Sequence, residues 1–335
     1  MNKANRISLL FGLILPLSSP LVFADHPSVT FGASQAGPLI TIPAATLPAG
    51  QWSTGLRTER VTRAPLSATV LEQSALNGED VHSVNELTTH YASLAFGISD
   101  QLTIGLTLPY ISREGIREGA LHHGNPEVHD HQDADGLGDA TLLGQYQLAK
   151  PDKNNIQLAI LAGIQFATGD DELTEGGALV EGEFQPGSGT WHPMVGLSAS
   201  KVFGQHNIDA NLLYLHTREG SQQTRIGSLL QYNVAWSHRF SDHATDENHD
   251  HGEHLHVKWD AVIELNGERR AKNEVQGLKE MHSGGNLIYL SPGIRVMVAD
   301  RWSLHVSVGI PVFDATTGTQ AEVDYRTNIG IALNF

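Results

Sequence analysis

The chain from residue 325 to 335 reads YRTNIGIALNF. Tyr325, Thr327, Ile329, Ile331, Leu333 and Phe335 form one face, and Arg326, Asn328, Gly330, Ala332 and Asn334 form the other. Successive side chains of a strand point to opposite faces, so this period of two separates an apolar, aromatic-ended surface from a polar or small one. Lipid on one side and a lumen on the other is the pairing that a membrane-spanning β-barrel requires. The pattern recurs at Leu102, Ile104, Leu106, Leu108 and Tyr110, opposed by Thr103, Gly105 and Thr107. It appears again in Ile156, Leu158, Ile160, Ala162, Ile164 and Phe166, and in Trp302, Leu304, Val306, Val308 and Ile310, with Ser303, His305, Ser307 and Gly309 inward.

Twelve segments alternate this way or have strand composition between turn residues: 51–63, 87–98, 101–112, 138–149, 156–168, 191–203, 207–218, 224–240, 256–268, 286–298, 302–313 and 322–335. They predict an all-β fold, a transmembrane antiparallel β-barrel of the bacterial outer membrane with about twelve strands. Short turns at 99–100, 151–155, 204–206 and 299–301 alternate with longer connections at 65–85, 113–137 and 169–189, as periplasmic turns alternate with extracellular loops. A secreted β-sandwich also alternates, but it gives no reason for aromatic residues at strand ends such as Trp259, Trp302 and Phe240.

Lys3 and Arg6 precede an apolar run over 7–15, and Val22, Phe23 and Ala24 offer a small-residue cleavage site. Residues 1–24 are therefore expected to be a signal peptide. Residues 25–50 form a Pro-containing periplasmic lead-in or lumen plug, and 51–335 the barrel. No other stretch approaches the roughly 20 continuous apolar residues of a spanning helix. The chain has no cysteine, which excludes a disulfide framework and thiolate metal sites. Removing the signal takes two of 21 basic and none of 37 acidic residues, giving 19 − 37 = −18 with histidine neutral. Such a surface repels nucleic acid and attracts cations.

Two acidic tracts hold nine of the eighteen histidines. The first contains His122, His123, His129 and His131; the second contains His243, His249, His251, His254 and His256. Imidazole with carboxylate and no thiolate suits zinc, nickel, copper(II) or cobalt, and the spacing does not choose among them. Five predicted strands separate the tracts, so they are expected on opposite sides of the membrane, the second as an insertion where a short periplasmic turn would suffice. His90, His192, His216, His282 and His305 are read as girdle or lumen residues. Asp260, Glu264 and Glu268 are expected inside, opposite Arg295 and Arg326, chiefly as structural ion pairs.

Several blocks together resemble the outer-membrane transporter family named for the meta-pathway of phenol degradation: GPLITIPAATLPAGQWSTGLRTE, GISDQLTIGLTLPYI, GLGDATLLGQY, EFQPGSGTWHPMVGLSASKVFG, SGGNLIYLSPGIRV and SVGIPV. The resemblance implies a barrel channel, grouped with transporters of hydrophobic compounds, and transfers no catalytic or binding residue. The histidine-rich insertions resemble a metal-associated subgroup. The leading functional expectation is a channel for divalent metal ions, working beside outer-membrane lipid and a periplasmic metal carrier or efflux system, with no required cofactor. The alternative is a passive channel for small hydrophobic or aromatic compounds. That alternative requires apolar patches in the lumen, whereas the inward positions Gln145, Gln157, Gln165, Asn211, Gln231 and Asn233 are polar. An enzyme is not expected, since His90 with Ser93, or His216 with Asp209, lacks a supporting motif.

Overall fold

A computed structural model describes residues 38–148, 156–240 and 257–335. The predicted signal, the lead-in through residue 37 and the second histidine tract lie outside the described residues. Twelve long strands form the wall: β1 (Trp52–Ala64), β2 (Glu86–Ser99), β3 (Leu102–Glu114), β4 (Thr141–Gln147), β5 (Gln157–Gln165), β6 (His192–Phe203), β7 (His206–Leu215), β8 (Leu229–Phe240), β9 (Val257–Arg270), β10 (Gly285–Val298), β11 (Trp302–Thr316) and β12 (Glu322–Asn334). Each pairs antiparallel with its sequence neighbours. β1 also pairs with β12, Leu56 facing Ile331 and Thr58 facing Ile329, which closes the sheet and leaves no barrel edge. Trp52 and Phe335 exchange backbone hydrogen bonds of 2.7 and 3.0 Å at the seam.

The alternation in the sequence is realised as an outer wall of exposed Leu, Ile, Val and aromatic side chains around buried, mostly polar partners. Aromatic and imidazole rings crowd the short-turn end. Trp52 lies 4.5 Å from Phe96, and His206 stacks between Phe203 and Trp236 at 5.4 and 5.6 Å. This end is periplasmic by the turn-length rule, and the opposite end carries the long loops.

Five strand boundaries lie three or more residues from the expected positions, the fifth and seventh strands ending early at Gln165 and Leu215. The fourth strand, expected over 138–149, is restricted to Thr141–Gln147, and Ala134–Leu137 pairs with β3 above it. Between them the Asp139 carboxylate accepts from the backbone of Thr168, Gly169 and Ser188, which turns the chain out of the wall. The eighth strand begins at Leu229 rather than 224, because Thr224–Arg225 pairs with Glu274–Val275 in a small three-stranded extracellular sheet. The eleventh runs three residues further than expected, to Thr316.

The extracellular connections, read from the sequence as loops, carry structure of their own. Residues 68–77 form a helix, α1 (Ala68–Asn77), begun by the Ser67 side chain accepting from the Val70 N–H and ended by Gly78 in the left-handed region at φ 71°. Arg117–His122 and Asn125–Asp130 form a hairpin.

Candidate functional site

The lumen is packed. Residues 38–49 enter it as an extended strap whose backbone bonds to inward side chains. The Glu264 carboxylate on β9 accepts from the N–H groups of Leu39, Ile40 and Thr41 and from the Thr41 hydroxyl, the last three at 3.1–3.2 Å. Ile42 N–H donates to Asn211 (2.9 Å), Ala44 N–H to Ser200 (2.8 Å) and Leu47 N–H to Thr103 (2.8 Å). Gln145 donates to the carbonyls of Pro43 and Ala45, and Arg295 to that of Pro38. The polar inward face therefore serves the strap. An extended chain cannot satisfy its own amides, so it is seated only where the wall supplies partners. At Gly97 a Cβ would come within 2.1 Å of the Pro48 carbonyl, so glycine is needed where the strap crosses β2.

The inward charges pair more variously than expected. Arg326 and Glu268 form an ion pair of 2.8 Å, and the Arg326 guanidinium lies 3.9 Å from the Tyr289 ring centroid. Asp260 is held instead by Arg239 at 2.8 and 3.0 Å, and Glu264 by strap amides. Asn266 and Ser291 extend the network at 2.7 Å.

Above the strap the lumen also carries apolar walls, which the sequence-based picture of polar inward positions left out. Leu143, Leu161, Met194, Leu213, Leu215 and Leu229 form a buried apolar wall on β4 to β8, with Ile42 of the strap packed into it. Val61, Leu87, Ile111, Leu287, Tyr289 and Val323 form a second on β1, β2, β3, β10 and β12. These residues sit on strands whose other inward positions are Gln, Asn or Ser, which hid them from a reading by polarity. A cavity of about 100 Å³ lies between the walls, its apolar lining Tyr91, Pro109, Ile111, Leu215 and Ile226 interleaved with polar residues such as Thr107, Gln165, His192 and Thr217, and residues 185–188 of the β5–β6 loop form its roof. Three charged groups in its lining are engaged with backbone: Arg113 donates to Phe184 O, Arg270 to Gly227 O, and Asp139 accepts the loop amides; Arg218 borders the cavity as well.

The first histidine tract lies on the extracellular hairpin. His122 and His123 meet at its tip, ring centroids 4.3 Å apart, and His129 is exposed across from Glu118. His131 alone of the four meets carboxylates, Glu175 at 2.9 Å and Glu118 at 3.4 Å. The residue at the centre of this surface is His82, which the sequence reading passed over. Its Nε2 lies 3.1 Å from Glu118, 3.2 Å from Glu181 and 3.5 Å from Asp80, and its Nδ1 lies 3.5 Å from Glu183. Burial opposes the imidazolium, but the carboxylates outweigh it and push the His82 pKa up to about 10. The hydrogen bond from His82 holds Glu118 below the usual carboxylate range. Among the described residues, the groupings within reach of one ion are Asp80–His82–Glu118 and His82–Glu181–Glu183, with no tract histidine in either. The only local signal was Glu79 and Asp80 beside His82; Glu118 and Glu181 arrive from other loops. Of the isolated histidines, His192 and His305 are buried inside the barrel, His90 bonds Thr58 on the outer wall at 2.9 Å, and His282 accepts from Thr319.

A closed twelve-stranded sheet with an apolar outer wall and a filled lumen defines an integral β-barrel of the Gram-negative outer membrane. The chain belongs to the family described as "Putative MetA-pathway of phenol degradation", whose model matches residues 78–326. No curated protein sequence matches it. Among solved structures it is similar to an outer membrane channel from Pseudomonas putida F1, with 13% identity over 87% of this chain and 98% of that one, at a TM-score of 0.56. Looser likenesses are a mutant of the TodX monoaromatic hydrocarbon channel (TM-score 0.45, 9% identity, 87% of this chain and 92% of that one) and the NanC porin (0.43, 6%, 84% and 98%).

Proposed function

We propose that the protein is a passive outer-membrane channel for small hydrophobic or aromatic compounds. The observation that carries this reading is the pair of apolar walls facing each other across the extracellular half of the lumen, with a cavity between them. Its volume is on the order of the ~150 Å³ apolar cavity that accepts a benzene ring. Of the lining charges, Arg113, Arg270 and Asp139 are already held by backbone, whereas an uncharged ring gains contact with Ile111, Leu215 and Tyr91 and loses little hydration. The family description, which concerns phenol degradation, agrees with a ring-sized cargo. A divalent-metal cargo has less support, since His122, His123 and His129 face solvent and apolar walls line part of the lumen.

Passage requires the strap to yield, because residues 39–47 fill the route below the cavity. In proteoliposomes, uptake of phenol-sized aromatic solutes is expected to exceed that of polar solutes of equal size. Leu213→Asn in the apolar wall should slow the aromatic solute selectively. Equal uptake of both classes by the parent, or uptake of the aromatic solute unchanged by Leu213→Asn, would refute the proposal.

A further inference from the structure

Outside the lumen, the densest group of metal-ligating side chains among the described residues surrounds His82. Asp80 and His82 come from the β1–β2 loop, Glu118 from the β3–β4 hairpin, and Glu181 and Glu183 from the β5–β6 loop. An imidazole nitrogen carries at most one hydrogen. Three carboxylate oxygens nonetheless converge on Nε2 at 3.1–3.5 Å, more acceptors than one N–H can serve.

Those separations have a second meaning. A tetrahedral site with bonds of about 2.0–2.1 Å has ligand-to-ligand edges of about 3.4 Å, and each oxygen stands near that spacing from Nε2. Asp80 and Glu118 already lie with His82 within reach of one ion, and the half-exposed Glu181, grouped with His82 and Glu183, completes the set by a side-chain rotation. The far side of the ring also resembles a metal-bound histidine, since such a ligand commonly gives its other N–H to a carboxylate. Here Glu183 lies 3.5 Å from Nδ1 and is itself held by Asn273 at 3.3 Å. Phe184 packs edge-on against the ring at 4.9 Å and fixes its plane. His82 is 8% exposed, while Asp80 and Glu181 are open enough for an ion to enter.

We propose that His82, Asp80, Glu118 and Glu181 form a divalent-cation site that clasps three extracellular loops over the lumen. One imidazole with three carboxylates and no thiolate selects a borderline ion of the zinc, nickel or cobalt kind over hard calcium or magnesium, which take oxygen ligands. The ion resolves the surplus of acceptors, because its two charges balance two of three carboxylates that otherwise share one imidazole proton. The clasp bears on permeation through chain continuity. Glu181 begins the segment whose residues 182 and 185–188 roof the cavity, and Phe184 O in the same segment is anchored by Arg113. An ion on Glu181 therefore holds that roof down. This site differs from the exposed histidine tract in using a buried imidazole and ligands from separate loops.

The test uses full-length protein in detergent with His122, His123, His129, His243, His249, His251, His254 and His256 replaced by Ala, so that tract binding does not mask the site. Calorimetric titration with zinc chloride near neutral pH is expected to show one zinc per chain. His82→Ala should weaken it by at least the roughly 10–100-fold that even an outer-shell loss costs. Glu181→Gln, at a half-exposed position that the fold does not depend on, should weaken it about 10-fold, with heat-modifiable gel migration unchanged in both. The proposal is overturned if the tract-free protein binds no zinc, or if both substitutions leave the affinity unaltered. No solute is involved, so the outcome is independent of the aromatic-channel reading.

Discussion

The strap should be releasable by removing one carboxylate. Glu264 is 1% exposed and accepts three backbone N–H groups and one hydroxyl from residues 39–41. A hydrogen bond to a charged group is worth about 1.5–3 kcal/mol net, and a buried amide left without a partner costs about 1–3 kcal/mol. The four bonds share one acceptor and do not add fully. We take about 4 kcal/mol as the change on Glu264→Ala, roughly a 10³-fold shift toward release, since each 1.4 kcal/mol is tenfold. The anchors at Asn211, Ser200, Thr103 and Gln145 remain. Release should therefore begin at residues 38–41 and spread only partly. Glu264→Gln keeps one acceptor oxygen and should fall between parent and Ala. In planar bilayers, conductance should rise in the order parent, Glu264→Gln, Glu264→Ala, and deletion of 38–47. Hydrogen exchange at Leu39, Ile40 and Thr41 should accelerate in the same order. If the deletion conducts no better than the parent, the strap is not the resistance in the lumen and the reasoning is wrong.

Further outcomes follow from the wall, the ion pair and the loops. Leu106→Arg, on the lipid face near the middle of β3, should cost about 2–4 kcal/mol of barrel stability in vesicles, while Thr107→Arg on the opposite face should not show that lipid penalty; equal effects in urea unfolding would refute the face assignment. Arg326→Leu should destabilise by about 3–5 kcal/mol because it strands Glu268 in the lumen, and adding Glu268→Leu should recover part of the loss; no recovery would mean the pair is not what holds the two strands. In chelator, the loop clasp should depend on pH. His82 is raised to about 10 from 6.5, so its contribution is complete below 6.5 and lost as pH rises through 10; that gap corresponds to at most roughly 4–5 kcal/mol. Glu118 is lowered by the same contact, counted once, so the contribution is also lost as pH falls below the carboxylate range. Proteolysis of residues 169–189 should accelerate on both sides, and a flat profile would exclude the clasp.

Much of the wall was legible because lipid enforces a strict rule. A strand between lipid and lumen must alternate, and β3 and β5 do so without interruption while β11 and β12 do so until bulges at Val312 and Asp324, so facing and approximate boundaries followed from residues such as Leu102, Ile104 and Leu106. Boundaries failed where a side chain serves a loop instead of the wall. Asp139 spends its carboxylate on the Thr168, Gly169 and Ser188 amides, and nothing in GLGDATLL distinguishes that duty from an ordinary inward polar residue.

The lumen was read too simply because period two reports which side a residue faces and not what lies opposite. Gln145, Asn211 and Ser200 look like a water-filled channel, yet their partners are amides and carbonyls of residues 42–45. Leu143, Leu213 and Met194 occupy the same inward register as those polar residues and meet only in three dimensions. His82 shows the same limit from the other direction. Its ligand-like neighbours lie 36 and 99 positions away at Glu118 and Glu181, whereas the histidines dense enough to draw attention in sequence, His122, His123 and His129, stand in solvent. Local density of imidazole measures exposure as readily as it measures a site. A buried imidazolium, unlike a neutral ring, needs charged partners, so the convergence of carboxylates on His82 from separate loops is the stronger sign of function.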